Sequence, residues 1–404
     1  MRCLLKPAGS PLVMILLFVA SIYPRGAAGH EITIFAQPGD VFNGRTIKRI
    51  SNEESLFSIN NRGEIAFIAE VEDDGWVVMT QNRFVAGAGK VVDGVVTRFN
   101  DEHNGVWIND LGQVAYNIGP VTQSTLFLDD KILFRSGDLI AGRGTEYSSR
   151  DYPVVDRFGT VAFRVTLTNP PTKAIVTQHG IVAKTGDIID GFTLDFPQFP
   201  IINGDGTIAF ASTTTDSDST SVFTADQRLI GPGDVISGIP VARVRRVGNL
   251  NREGIVTATV STGSGSYVAT QDEMVLGPGS IIAGLEIESI SEAHMTADGR
   301  IVLLGSVVSD DGVPDDGGFN THLFAGDELL LAVGDKVDGH TINKFWQDFH
   351  INERGDVVVQ ASLSDVGRAI LLITVPEPST ISMLFFGALL MLLSGRATRA
   401  GRRG

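Results

Sequence analysis

Between residues 31 and 375 apolar and polar positions alternate with a period of two, in short runs broken by Gly, Asn, Asp and Pro. The segment "IPVARVRRV" (239–247) is typical. Helical spacing of apolar residues is almost absent from this region, and the chain carries 46 glycines. Such a pattern predicts many short strands joined by tight turns, hence an all-β chain.

The strands are predicted to come in repeating units. "INNRGEIAF" at Asn60 returns as "INDLGQVAY" at Asn109, "VDRFGTVAF" at Asp156 and "INGDGTIAF" at Asn203. It returns again as "LNREGIVTA" at Asn251, "MTADGRIVL" at Thr296 and "INERGDVVV" at Asn352. A second motif accompanies it: Gly-Asp, any residue, an apolar residue, any residue, Gly. Its copies are "PGDVFNG", "SGDLIAG", "TGDIIDG", "PGDVISG" and "VGDKVDG", with the variants "AGKVVDG" and "PGSIIAG". Both motifs occur seven times with a shared mean period of about 49 residues, a spacing that points to arrays, solenoids or propellers.

The first motif has a structural explanation. The Asn side chain can accept hydrogen bonds from backbone N–H groups two or three residues on, closing a turn. The following Gly supplies a position with φ > 0. The turn pairs are Asn60 and Gly63, Asn109 and Gly112, Asp156 and Gly159, Asn203 and Gly206, Asn251 and Gly254, and Asn352 and Gly355. Asp156 and Thr296 can do the same capping. The apolar run that follows reads as the buried inner strand. The second-motif carboxylates Asp40, Asp138, Asp187, Asp234 and Asp335 read as caps of interblade turns, the alternative being an acidic ring that binds cations or sugars.

Four strand-like segments per unit and seven units predict a seven-bladed β-propeller. The last unit stops one strand short, and the segment "EITIFAQPGD" supplies that missing strand ahead of the first unit. An N-terminal strand completing the last blade would close the ring and hide two strand edges. The alternative is an open array or solenoid, which would need distinct capping units, and none is visible.

The two ends are set apart by composition. Residues 1–29 run from Arg2 and Lys6 through "PLVMILLFVASI" to "GAAG", as in a secretory signal peptide, with a retained anchor as the alternative. At the other end Pro376, Glu377 and Pro378 precede an apolar stretch and four arginines, Arg396, Arg399, Arg402 and Arg403. Arginines in that place keep the extreme C-terminus cytoplasmic and what precedes it outside. The organisation expected is therefore a signal peptide over 1–29, a repeat domain over 30–375 and a sorting segment over 376–404.

The order Pro-Glu-Pro, short hydrophobic helix, arginine cluster resembles the PEP-CTERM sorting signal of Gram-negative bacteria. That resemblance implies recognition by an exosortase, a membrane transpeptidase-like enzyme. It also implies transient residence in the inner membrane, loss of the tail, and export in cells that make extracellular polysaccharide. A simple C-terminal anchor is the alternative. The repeat itself resembles the choice-of-anchor tandem-repeat proteins with the Asn-x-x-Gly-x-x-Ala-Phe pattern. Asn60, Gly63, Ala66 and Phe67 fit it fully, as do Asn203, Gly206, Ala209 and Phe210. Units five to seven lose the Ala-Phe end, so their strands are expected to pack differently. The resemblance implies surface location and no settled activity.

Charge narrows the partners. Residues 1–30 and 379–404 contain no acidic residue, so the stretch between holds 47 acidic against 25 basic residues, a formal net of −22. So acidic a domain is a poor partner for nucleic acid or anionic lipid. The one cysteine, Cys3, lies in the signal segment, so the mature chain is expected to form no disulfide and no thiolate site.

Recognisable catalytic motifs are missing. The seven histidines, His30, His103, His179, His294, His322, His340 and His350, show no zinc spacing. No GxSxG, phosphate-binding or dinucleotide-binding motif occurs. Asp310, Asp311, Asp315 and Asp316 in "SDDGVPDDGG" offer oxygen ligands suited to Ca²⁺ but lack a loop-motif spacing; no other cofactor is expected. "NKFWQDFH" with Trp346 is the candidate for stacking on a sugar, with a core aromatic as its alternative. The expected protein is an exported surface or matrix binding protein associated with exopolysaccharide. A propeller glycoside hydrolase or polysaccharide lyase is the alternative.

Overall fold

The computed structural model describes residues 30–51, 56–97, 99, 105–119, 124–148, 152–308 and 321–374. The signal segment, the Pro376-Glu377-Pro378 motif, the arginine cluster and the four candidate Ca²⁺ ligands Asp310, Asp311, Asp315 and Asp316 lie outside them. Among the described residues every regular element is a strand, and no helix is long and apolar enough to cross a membrane. Residues Ile32–Thr374 form one compact unit.

The strands make seven antiparallel blades. Blade 4 shows the plan: Phe192–Ile202, Ile208–Thr214, Ser217–Thr224 and Arg228–Ile230 lie side by side in chain order, from the axis outward. A short hairpin partner, Ile188–Ile189, pairs with the start of the innermost strand. It is built from the second sequence motif. Asp190 and Gly191 both take positive φ, 50° and 82°, as a two-residue type I′ turn requires. The carboxylate of Asp187 accepts the Lys184 N–H at 2.9 Å, and Asp40, Asp138, Asp234 and Asp335 each accept from the residue three positions earlier. These aspartates are therefore turn caps. In blade 2, whose motif carries Lys90 instead, Thr97 Oγ1 accepts the Gly87 N–H at 2.9 Å.

Closure of the ring is visible in the packing. Seven apolar clusters lie between neighbouring blades, one for each consecutive pair. One of them joins blade 7 to blade 1, with Val358 and Ile370 packed against Phe67 and Val77. In the last blade the strand order runs His340–Ile351, Val357–Leu363, Gly367–Thr374 and then Glu31–Ala36. The N-terminal strand thus completes the last blade, as its sequence predicts. Its Ala36 is fully buried, and the Phe35 ring meets Phe67 edge-on at 5.6 Å.

Two expectations need correction. The apolar run after each Asn-x-x-Gly turn is the second strand of its blade; the axis is lined by the strand that enters the turn. The second strand is buried on both faces, between its own blade's two neighbours. Its alternating side chains serve two clusters: Ala66 faces blade 2 while Phe67 faces blade 7. The later units also pack in the same way without the Ala-Phe pair. Val302 and Leu303 divide between the two sides of blade 6, and Val358 and Val359 between those of blade 7. Two buried side chains facing opposite sides are what the site demands, since Thr257 and Ala258 take these places in blade 5.

Candidate functional site: the axial cavities

The seven Asn-x-x-Gly turns meet around the axis. Asn203 Oδ1 accepts the Asp205 and Thr207 N–H groups at 3.1 and 2.9 Å, and Gly206 adopts φ +86°. The cap therefore spans two and four residues, where the sequence suggested two or three. Asp156 substitutes as expected, accepting from Phe158 and Thr160, while Thr296 accepts only from Arg300.

The other half of each amide has a role that the motif did not announce. Asn60 Nδ2 donates to the carbonyl of Asn109 at 2.8 Å, and Asn109 to that of Asp156 at 2.9 Å. Asn203 donates to Asn251 at 2.9 Å, and Asn352 donates back to Asn60 at 3.0 Å. These links tie four of the turns to the next blade, while Asn251 Nδ2 lies 3.7 Å from Met295 Sδ. Asp156 has no side-chain N–H to give, and the Thr296 hydroxyl is used inside its own turn. Around the resulting mouth lies a cavity of about 150 Å³. Its rim is crossed by Arg157–Asp205 and Arg252–Glu353 ion pairs at 2.5 and 3.4 Å. This end is knitted together by its own polar groups.

A larger cavity, about 370 Å³, lies among the inner strands themselves, and Trp107 lines both. Most of its polar wall, to which Arg164 and Gln198 add from blades 3 and 4, comes from three consecutive innermost strands: Arg243–Leu250, Leu285–Met295 and His340–Ile351. Each is broken by β-bulges, between Val244 and Arg246, Ile290 and Glu292, and Phe345 and Phe349. A bulge inserts an unpaired residue and re-aims those that follow. The residues so placed are Arg246, Glu292, His294, Asp348 and His350. Blades 5 and 6 approach closely here: a Cβ on Gly248 would lie 2.0 Å from the carbonyl oxygen of Ala293, so only glycine fits.

The charged groups form a connected set. Arg246 Nη1 lies 2.9 Å from Glu292 Oε2, and the other carboxylate oxygen of Glu292 lies 3.1 Å from His294 Nε2. The His294 and His350 rings are 6.4 Å apart. His350, only 9% exposed, makes no hydrogen bond through Nε2, with Asp348 Oδ1 at 3.8 Å. Burial pushes both imidazoles down to about 4 against the pull of Asp348, and Arg246 adds to the depression, so both are neutral at neutral pH. Among the described residues no group of three or more His, Cys, Asp or Glu is arranged to hold a metal.

Aromatic side chains complete the wall. The Trp107 ring meets His350 edge-on at 4.9 Å. Phe199 sits in a bulge of the blade 4 inner strand at φ +49° and is 58% exposed. A bulky residue in the left-handed region is strained, and such strain persists where the surroundings hold it. Trp346, the sequence candidate for stacking, lies elsewhere. It lines neither axial cavity, and its ring is covered by Arg368 and Lys344 at 3.9 and 4.4 Å. The same octapeptide does reach the cavity, through Asp348 and His350. Sequence reading missed the cavity set because its members come from different repeats; the available signal was polar residues, as in "SEAHM", at the end of an otherwise apolar strand.

The profile of a family of unknown function, DUF7453, matches residues 21–221, which take in the first three repeats and most of the fourth. No curated protein matches the chain. Among solved structures, a catalytically inactive virginiamycin B lyase from Staphylococcus aureus with quinupristin is similar at 9% identity and a TM-score of 0.34, covering 86% of this chain and 100% of its own. YCF48 bound to a peptide is similar at 11% identity and a TM-score of 0.38, covering 85% and 100%. The Cps50 (Swd1) β-propeller domain of Myceliophteria thermophila is similar at 10% identity and a TM-score of 0.36, covering 81% and 98%. All three are too remote to carry an activity or a ligand to this chain.

Proposed function

We propose that this chain is an exported surface or matrix protein of a Gram-negative bacterium, sorted by an exosortase-type enzyme, and that it binds extracellular polysaccharide in its axial cavity. Phe199 carries the binding half of the proposal: a strained, exposed aromatic residue on a cavity wall that also bears Trp107 and hydrogen-bonding side chains. Sugars present apolar ring faces and polar edges, and a wall of this mixed kind matches both. The sorting half rests on Pro376-Glu377-Pro378, the apolar stretch and the arginines. A glycan array probed with the exported protein, together with the host's own exopolysaccharide, tests the first half. Binding that Phe199→Ala abolishes supports it, and absence of binding refutes it. Mass spectrometry of the exported protein tests the second: residues beyond about Ser379 should be missing, and recovery of Arg403 would refute processing.

One observation favours a second reading, a polysaccharide lyase. The His350 imidazole is neutral and its Nε2 has no hydrogen-bond partner, the state from which a general base acts, although burial makes it a weak base. Incubation with acidic polysaccharides and detection of unsaturated sugar ends by ultraviolet absorbance separates binding alone from cleavage.

A further inference from the structure

We infer that the sugar taken by the axial cavity is a carboxylated one, a uronate unit, with its carboxylate on the arginine side of the wall and its ring on the aromatic side. This rests on the reading of the cavity as a sugar site. The charge of the wall is the first ground. Arg164, Arg245 and Arg246 line it against Glu292 and Asp348, a formal excess of positive charge inside a domain that carries 47 acidic against 25 basic residues. A domain so acidic repels anions over most of its surface, and an anionic ligand is favoured only where guanidinium groups gather. Guanidinium groups also match carboxylates in geometry, as charge-assisted forks. His350 is the second and independent ground. It is nine-tenths buried, its Nε2 has no hydrogen-bond partner in the protein, and it lines this cavity. A buried polar group left without a partner is costly, so a ligand whose polar group draws the His350 ring toward the cavity binds with that cost removed. Both imidazoles are neutral there, so they add hydrogen-bonding capacity without changing the balance of charge. The volume, about 370 Å³, is at the small end for ligand sites and suits one or two sugar rings of a longer chain.

The test varies the ligand, so that it does not depend on a variant folding. The full exported protein is titrated calorimetrically with three probes at low and high salt: tetragalacturonate, its fully methyl-esterified form, and a neutral glucose tetrasaccharide. The free acid is expected to bind at least tenfold more tightly than its ester, with an advantage that shrinks as salt rises. Arg246→Lys, which keeps the charge facing Glu292 but not the fork, should reduce that advantage. Equal or weaker binding of the acid would overturn the inference. If the ester or the neutral sugar still binds and Phe199→Ala abolishes it, the sugar site stands and only the carboxylate assignment falls. If none of the three binds, both fall.

Discussion

Asn352 donates its side-chain amide to the carbonyl oxygen of Asn60 at 3.0 Å, joining two residues 292 positions apart. The bond is the last link in a series that begins with Asn60 and Asn109. It shows why a turn that Asp or Thr can cap still carries Asn in five of its seven copies. The carboxamide caps with its oxygen and links with its nitrogen, and no other small polar side chain at these turns does both.

That division of labour can be measured at Asn203. Asn203→Asp keeps the acceptor for Asp205 and Thr207 but loses the bond to Asn251. Asn203→Ala loses both. The Asp variant is expected to lose about 1 kcal/mol and the Ala variant about twice that, in line with one and two hydrogen-bonding roles. Urea melts of the two variants check the order. Equal losses would mean that the link between blades contributes nothing.

Gly206 tests the backbone of the same turn. At φ +86° a β-branched side chain is strained whatever the free space, so Gly206→Val should cost on the order of 1–2 kcal/mol or more. Thermal melts report it. An unchanged melting temperature would show that the turn relaxes to another conformation.

Removal of residues 31–36 should open the ring. The strand supplies Ala36 and Phe35 to the junction of blades 7 and 1, and covers the edge of Gly367–Thr374. Two exposed apolar edges on one molecule favour association between molecules. Light scattering and limited proteolysis should show aggregation or cleavage. A deletion variant that stays soluble and melts in one sharp step would contradict the closed ring.

Much of this architecture was legible in the sequence because a repeat writes its turn chemistry seven times. The Asn and Gly of each turn, the Gly-Asp caps and the displaced N-terminal strand all announce themselves locally. The cavity does not. Arg246, Glu292 and His350 belong to three different repeats, and only the ring brings them together. The bulges that turn them inward leave no signature in a period-two pattern. The link from Asn60 to Asn109 was hidden for a related reason, since the partner is a backbone carbonyl one repeat away.

The two cavity histidines give stability a pH dependence with a definite sign. Both are held near 4 in the folded protein, below the ordinary 6.5. The unfolded chain therefore binds protons first as pH falls. The histidines' contribution should be absent above about pH 6.5, should destabilise progressively between 6.5 and 4, and should level off below 4 at no more than about 3 kcal/mol for each imidazole. Asp348 opposes the effect, and Arg246 reinforces it. His350→Gln should flatten that slope in urea melts taken across this range; an unchanged slope would place His350 in contact with water.

The most direct test of the axial cavity as a sugar site uses the chain's own fluorescence. The protein has three tryptophans, Trp76, Trp107 and Trp346, and only Trp107 lines the axial cavities. With Trp76 and Trp346 replaced by Phe, the remaining emission reports the cavity wall. Titration with the host's exopolysaccharide should shift or quench that emission saturably, and Phe199→Ala should remove the response. Saturable binding detected by calorimetry with no change in Trp107 emission would place the sugar elsewhere on the propeller and contradict the account.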